Sequence, residues 1–212
     1  MKIQVITLFP EMFEDVLNSS ILGIAQKKEL VSFKLTNLRD YGIGPRKQVD
    51  DTPYGGGNGM LLKPEPLISA IKEAKTNEPN AIVLLPTPRG KEFKQLEARK
   101  LSAKTNLIIV CPRYEGYDER VTEWVDEQFK IGDYILTGGE IPAMVIIDSV
   151  VRLIPGVLGN DQSTLTESFE QGSNIEHPQY TRPEEYEGLK VPDILLSGNH
   201  EVIKKWRDNN SK

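Results

Sequence analysis

Cysteine is almost missing from this chain of 212 residues: Cys111 is the only one. That excludes an internal disulfide and fits a reducing, cytoplasmic compartment. Histidine is nearly as scarce, with two residues, His177 and His200. With a lone cysteine they argue against a His/Cys metal site. No run approaches the roughly 20 apolar residues of a membrane span. The opening MKIQVITLFP lacks the apolar core and small-residue cleavage site of a signal peptide. An excess of positive charge is missing too. At a net charge of −5 the surface as a whole does not attract DNA or RNA. A nucleic-acid partner would need local basic patches. No Gly-x-Gly-x-x-Gly follows a strand, and no glycine loop ends in Lys-Ser/Thr. A nucleotide-binding oxidoreductase is therefore disfavoured. Neither an internal repeat nor a low-complexity tract is present.

What is present suits a folded domain with a core. Apolar residues make up 38% and charged residues 27%, enough for one large domain or a domain with a small appendage. Residues 2–8, 31–38, 81–85, 107–110 and a stretch within 130–136 read as strands. Between them, 12–23, 64–75, 93–101, 118–126 and 142–154 read as helices, with prolines at several starts. Strand and helix alternate, which predicts an α/β fold with a mostly parallel sheet. Residues 39–59 form a long polar segment ending in a glycine run, with Arg46, Lys47, Asp50 and Asp51 mixing both signs. So long a loop is either functional or a tether. Residues 155–180 are polar with few apolar anchors, and Asn199 suits the N-cap of a last helix.

Three strand exits carry Gly and Pro: after Leu85, after Val110 and near Leu136. The carboxyl ends of parallel strands share one edge, where ligands bind. The exits therefore predict the rim of one pocket. The stretch IGDYILTGGEIP, residues 131–142, pairs Gly138 with Gly139, as if bare backbone must approach something closely. The loops offer backbone groups and few charges, which suits a ligand with an adenine or ribose rather than a triphosphate. Glu115 is open between a partner for a cationic ligand group and a solvated acid, and Asp133 likewise. Tyr114 and Tyr134 are open between stacking on a base and packing.

Several long motifs carry a resemblance: CPRYEGYDER (111–120), IGDYILTGGEIPAM (131–144), RLIPGVLG (152–159) and YTRPEEYEG (180–188), with LFPEMF (8–13) and QVDDTPYGGGNGM (48–60). Their order over nearly the whole chain resembles the bacterial tRNA (guanine-N1)-methyltransferases, the TrmD family of the SPOUT superfamily. The resemblance implies a fold with a deep C-terminal trefoil knot, which pattern reading would exclude by default. It implies S-adenosyl-L-methionine as methyl donor, guanine N1 beside the tRNA anticodon as acceptor, and a homodimer with the active site between subunits. By position it places Leu85, Pro86, Thr87, Pro88, Pro112, Tyr114, Glu115, Gly116, Ile131, Gly132, Asp133, Tyr134, Ile135, Leu136, Gly138, Gly139 and Pro142 around the donor. Glu115 would face the donor's amino group, and the glycines would let backbone close around adenosine. Asp50, Asp51, Gly57 and Gly59 are expected at the substrate. Arg152 is expected to stabilise charge on guanine O6, and Glu167 to take the N1 proton. Without the resemblance, Arg152 is open between a functional cation and a helix-end cation, and Glu167 reads as a solvated acid.

The sequence departs from the family at four places. Glu167 stands where aspartate is usual, one methylene longer. Pro112 replaces a usual glycine and removes one N–H from the loop. The segment 172–178, with His177, is one residue longer. The chain stops at Lys212, soon after its last helix, where relatives continue through a larger basic region. Lys204, Lys205 and Arg207 are then expected to grip tRNA, aided by Lys27, Lys28, Arg46 and Lys47. The expected organisation is a knotted donor-binding domain over 1–159, a linker over 160–178 and an abbreviated tRNA-binding helical region over 179–212. Other readings are a related RNA methyltransferase with a different target and a catalytically weak RNA-binding relative. Assistance by a divalent ion, as in some relatives, is open.

Overall fold

A computed structural model describes residues 1–104, 106–159, 167–169 and 175–212. The chain divides into two compact units, 1–159 and 160–212.

The first unit is built on a five-stranded parallel sheet. Its strands are β1 (Lys2–Thr7), β2 (Ser32–Asn37), β5 (Ile82–Glu92), β6 (Asn106–Val110) and β7 (Glu127–Lys130), in the order β2-β1-β6-β5-β7. The runs IVLL and LIIV are apolar throughout, and IQVI apart from Gln4, whose amide donates to the Thr36 hydroxyl (2.8 Å), because both faces are covered. Alternate residues serve opposite sides. Ile3, Val5, Leu84, Leu107 and Ile109 join one cluster, with Leu22 and Ala25 of α2 (Ser20–Lys27), Ala98 and Leu101 of α4 (Gln95–Ser102), and Ile146, Ile147 and Val150 of α5 (Glu140–Val151). Ile6, Val83, Leu85, Ile108 and Val110 join the other, with Leu67, Ala70, Ile71 and Ala74 of α3 (Pro64–Asn77). The expected parallel α/β architecture is the one observed.

Several boundaries differ from the sequence reading. The third expected exit strand ends early, since β7 stops at Lys130 and residues 131–136 are loop. There Lys130 turns to Asp133 (2.6 Å), and the Tyr134 hydroxyl donates to the Ile131 carbonyl (3.3 Å). β5 does not end at Leu85. Pro86 and Lys91 both stand opposite Phe129, so residues 87–90 bulge out and the strand returns to the same neighbour. Residues 118–126 hold a 3₁₀ turn, Glu119–Trp124, capped by the Asp118 side chain, rather than an α-helix. α5 begins two residues before Pro142, which is still within the first turn, where a missing N–H is harmless. The long 39–59 segment is neither tether nor coil throughout. It includes part of a 3₁₀ turn (Leu38–Tyr41) and strand β3 (Asp50–Asp51), which pairs antiparallel with β4 (Leu61–Leu62).

The second unit holds a hairpin of β8 (Glu185–Tyr186) and β9 (Leu189–Lys190), then α6 (Asp193–Leu196) and α7 (His200–Asn210). Glu187 and Gly188 both have positive φ, the geometry a two-residue hairpin turn demands. Asn199 caps α7 as expected, accepting from the Glu201 and Val202 N–H groups. Of the expected linker, 160–166 and 170–174 lie outside the described residues.

Candidate functional site

The carboxyl edge of the sheet holds a cavity of about 280 Å³, near the lower end of small-ligand pockets. Three segments make it. The bulge of β5 brings Pro86, Thr87 and Pro88. The loop after β6 brings Pro112, Tyr114, Glu115 and Gly116. The loop after β7 brings Ile131, Gly132, Tyr134, Ile135, Leu136, Gly138 and Gly139, and Pro142 follows in α5. The structure thus gathers every residue expected there except Leu85 and Asp133. Leu85 is fully buried in the core below. Asp133 is exposed and paired with Lys130, whose ammonium holds its carboxyl below the usual range. Its side chain faces a cation already, not the cavity.

The second loop turns sharply. The Gly116 N–H donates to the Arg113 carbonyl (3.1 Å), and Tyr114 takes a positive φ of 60°. Such a conformation is uncommon for a non-glycine residue and clusters at functional sites. The turn leaves Glu115 on the wall of the cavity. The same loop is tied to the hairpin of β3 and β4. The Glu115 N–H donates to the Met60 carbonyl (3.0 Å), and the Leu62 N–H to the Gly116 carbonyl (2.9 Å). A Cβ on Gly59 would stand 2.5 Å from Glu115 Cγ. Gly59, expected at the substrate, therefore sits against Glu115, expected at the donor. Asp50 and Asp51 lie on β3 of the same hairpin, and Gly57 on its turn. Asp51 meets Lys63 at 3.4 Å. Its carboxyl lies below the usual range, chiefly through the Thr52 N–H and then Lys63.

The glycine pair has a steric reason within the chain itself. A Cβ on Gly139 would stand 2.4 Å from Pro112 Cδ and 2.8 Å from Cys111 Cα. One on Gly138 would meet Arg113 Nε at 2.4 Å. What approaches this backbone is the chain's own 111–113 segment. The Gly139 N–H donates to the Pro112 carbonyl (2.8 Å). The bond between the loops thus uses the C=O of Pro112, which proline retains.

Arg113, Phe129 and Lys130 also line the cavity and were not singled out from the sequence. Phe129 is fully buried and meets Phe93 edge-on, ring centres 5.4 Å apart. Arg113 pairs with Glu140, itself almost fully buried. The only signal for Glu140 is an acid at the start of a helix whose next seven residues are apolar. Arg152 ends α5, half-buried, its N–H bonded to the Asp148 carbonyl. Glu167 belongs to the second unit and is half-buried. Among the described residues no group of three or more His, Cys, Asp or Glu side chains converges as a metal site would require. No described helix is long and apolar enough to cross a membrane.

Fold and site together define a parallel α/β protein with a cavity in the loops at the carboxyl edge of its sheet, the edge where such folds bind ligands. A family model described as tRNA (Guanine-1)-methyltransferase TrmD matches residues 1–212. The tRNA (guanine-N(1)-)-methyltransferase of Staphylococcus carnosus is 54% identical over 208 residues, 98% of this chain and 84% of that protein. That of Geobacillus kaustophilus is 50% identical over 212 residues, 100% of this chain and 86% of that protein. The crystal structure of tRNA (m1G37) methyltransferase from Aquifex aeolicus is similar at a TM-score of 0.82 and 40% identity, covering 99% of this chain and 90% of that one. The chain belongs to the tRNA (guanine-1)-methyltransferase TrmD family, a family of methyltransferase enzymes.

Proposed function

We propose that this protein transfers a methyl group from S-adenosyl-L-methionine to N1 of guanine 37, beside the anticodon of tRNA. The observation that carries the reading is the family match over the whole chain, joined to a cavity at the carboxyl edge. The cavity suits the donor chemically. Ile131, Ile135, Leu136 and the prolines offer apolar walls for an adenine, and Glu115 offers a carboxylate for an ammonium or sulfonium group. The donor supplies an electrophilic methyl group on a sulfonium sulfur.

The protein's task is to make guanine N1 nucleophilic. N1 carries a proton at neutral pH. In this proposal the Glu167 carboxylate takes that proton as the N1–CH₃ bond forms and the C–S bond breaks. The Arg152 guanidinium offsets the negative charge that builds on O6. Asp50, Asp51, Gly57 and Gly59 hold the guanosine or its neighbours, supported by the contact of Gly59 with Glu115. Lys204, Lys205 and Arg207 on α7 contribute to the grip on tRNA.

The trefoil knot, a cytoplasmic setting and a homodimer belong to the same proposal. In favour of the dimer, Met12, Val16, Ile141 and Val145 are exposed apolar residues of the first unit. Met12 lies in the 3₁₀ turn Pro10–Phe13, which touches both α1 (Glu14–Asn18), holding Val16, and α5, whose first half holds Ile141 and Val145. A patch of that kind marks an interface.

The test is incubation with unmodified tRNA and labelled donor, with and without Mg²⁺, followed by nucleoside mass spectrometry. 1-Methylguanosine is expected from tRNA and not from a transcript with guanine 37 replaced. Methylation that persists in the replaced transcript would point to a different target. No methylation, with donor still bound, would leave an RNA-binding relative.

A further inference from the structure

The mechanism above does not use the Arg113–Glu140 pair or the N-terminal LFPEMF motif, and the structure joins them. Glu140 is 1% exposed and opens α5, where a carboxylate also suits the helix dipole. Each of its oxygens has a partner. Oε2 accepts from Arg113 Nε (2.8 Å), and Oε1 from the Thr7 hydroxyl (2.8 Å). The Thr7 oxygen in turn accepts from the Phe9 N–H (3.0 Å). Arg113 reaches further. Its Nη1 donates to the Thr137 carbonyl (3.3 Å), and its guanidinium carbon lies 4.4 Å from the centre of the Phe9 ring. Its Nη2 lies 3.2 Å from the sulfur of Met12. One guanidinium therefore touches the segment after β1, the loop before α5 and the first turn of α5, while standing on the loop after β6.

We propose that Arg113 and Glu140, backed by Thr7, Phe9 and Met12, form a positioning clamp that sets the gap between the two loops of the donor cavity. The argument is geometric. Residues 112–116 and most of residues 131–139 line one cavity. Their direct backbone tie is the Gly139–Pro112 hydrogen bond. Gly138 has no room for a Cβ because Arg113 and Glu140 fill the space. The shape of the second wall is thus moulded on the ion pair. A buried pair of this kind costs desolvation and is weak evidence of stability, but it holds a single geometry. Glu140 does not line the cavity, so it acts through Arg113 and the loop. The inference rests on the donor assignment above and gives the N-terminal motif its part in it.

The test compares wild type with Glu140→Gln, Arg113→Ala, Arg113→Lys and Thr7→Val. Donor affinity by calorimetry is expected to weaken about tenfold or more in Glu140→Gln and Arg113→Ala, since small misplacements at a site carry large penalties. Affinity for tRNA is expected to be unchanged. The double variant is expected to be no weaker than the worse single one. Arg113→Lys, which keeps the charge but not the fork, is expected to recover part of the loss. Thr7→Val leaves the ion pair in place and decides the matter should the charge variants not fold; a several-fold loss is expected. Hydrogen exchange of the Gly139 N–H in the free protein reads the clamp without any donor, and is expected to speed up in all the variants that fold. Glu140→Gln with wild-type donor affinity and exchange would overturn the clamp. So would fully multiplicative single effects, which would mean that Arg113 merely touches the ligand. Wild-type protein that binds no donor would instead overturn the functional reading, while the exchange result would still stand or fall by itself.

Discussion

Glu167 carries one methylene more than the family's usual aspartate, and the proton transfer proposed for it depends on reach. Glu167→Gln keeps the shape and removes the base. Methylation is expected to fall by about two to four orders of magnitude, while calorimetry shows donor binding within twofold of wild type. Full activity in that variant would sink the base assignment. Cys111 gives a second test at this scale. Burial first, and then the nearby Glu140 charge, push its thiol well above the ordinary range. A thiol stays neutral below its pKa, and only the thiolate reacts. At pH 8 the native protein should resist iodoacetamide, and the denatured protein should be alkylated, as read by intact mass. Rapid alkylation of the native state would mean that the 111–113 segment opens. The glycines show where residue-level reading stops. That bare backbone was needed at Gly138 and Gly139 could be read from the pair itself. That Pro112, Cys111 and Arg113 are what come close could not, because that contact joins segments far apart in the chain.

Elements were legible where local chemistry agrees with the fold. β1, β6 and α3 fall close to their expected bounds because apolar runs and helix-start prolines suffice to mark them. The helix at 200–210 was marked by its cap. Asn199→Ala removes the acceptor for two N–H groups and is expected to destabilise α7 by about 1 kcal/mol. Circular dichroism during thermal unfolding would show it, and an unchanged transition would deny the cap a role. Strands failed where pairing decided the outcome. The apolar pattern of 131–136 suits a strand as well as that of 127–130 does. Only a neighbour makes a strand, and β5 pairs with β7 no further than Lys130. The same neighbour explains why β5 continues past two prolines. Phe129 pairs on both sides of the bulge, so the ladder closes over the interruption.

For the whole molecule, charge and surface set the expectations. A net charge of −5 opposes tRNA, so binding must depend on local cations and weaken with salt. The exposed apolar patch provides the sharpest test at this scale. Val145 is 41% exposed on α5 and lies outside the donor cavity. Val145→Asp would place a charge in the proposed interface, where burying it would cost more than the patch can return. Sedimentation velocity should show a dimer for wild type and a monomer for the variant. A monomeric wild type would overturn the dimer, and a variant that stays dimeric would move the interface elsewhere.

The sequence by itself determined the class of fold, the edge on which the cavity lies, and the three segments that line it, though not the strand ends within them. Those follow from local periodicity and from where glycine and proline interrupt apolar runs. The motif order also determined the family. Tertiary structure alone decided that the β3–β4 hairpin is pinned to Glu115, that β5 bulges and resumes, and that Arg113 meets Glu140 beside Thr7. Each is a pairing between distant segments, set by which surfaces meet when the sheet closes. No local pattern encodes the partner in such a contact, so the glycine pair announced a close approach without naming what approaches.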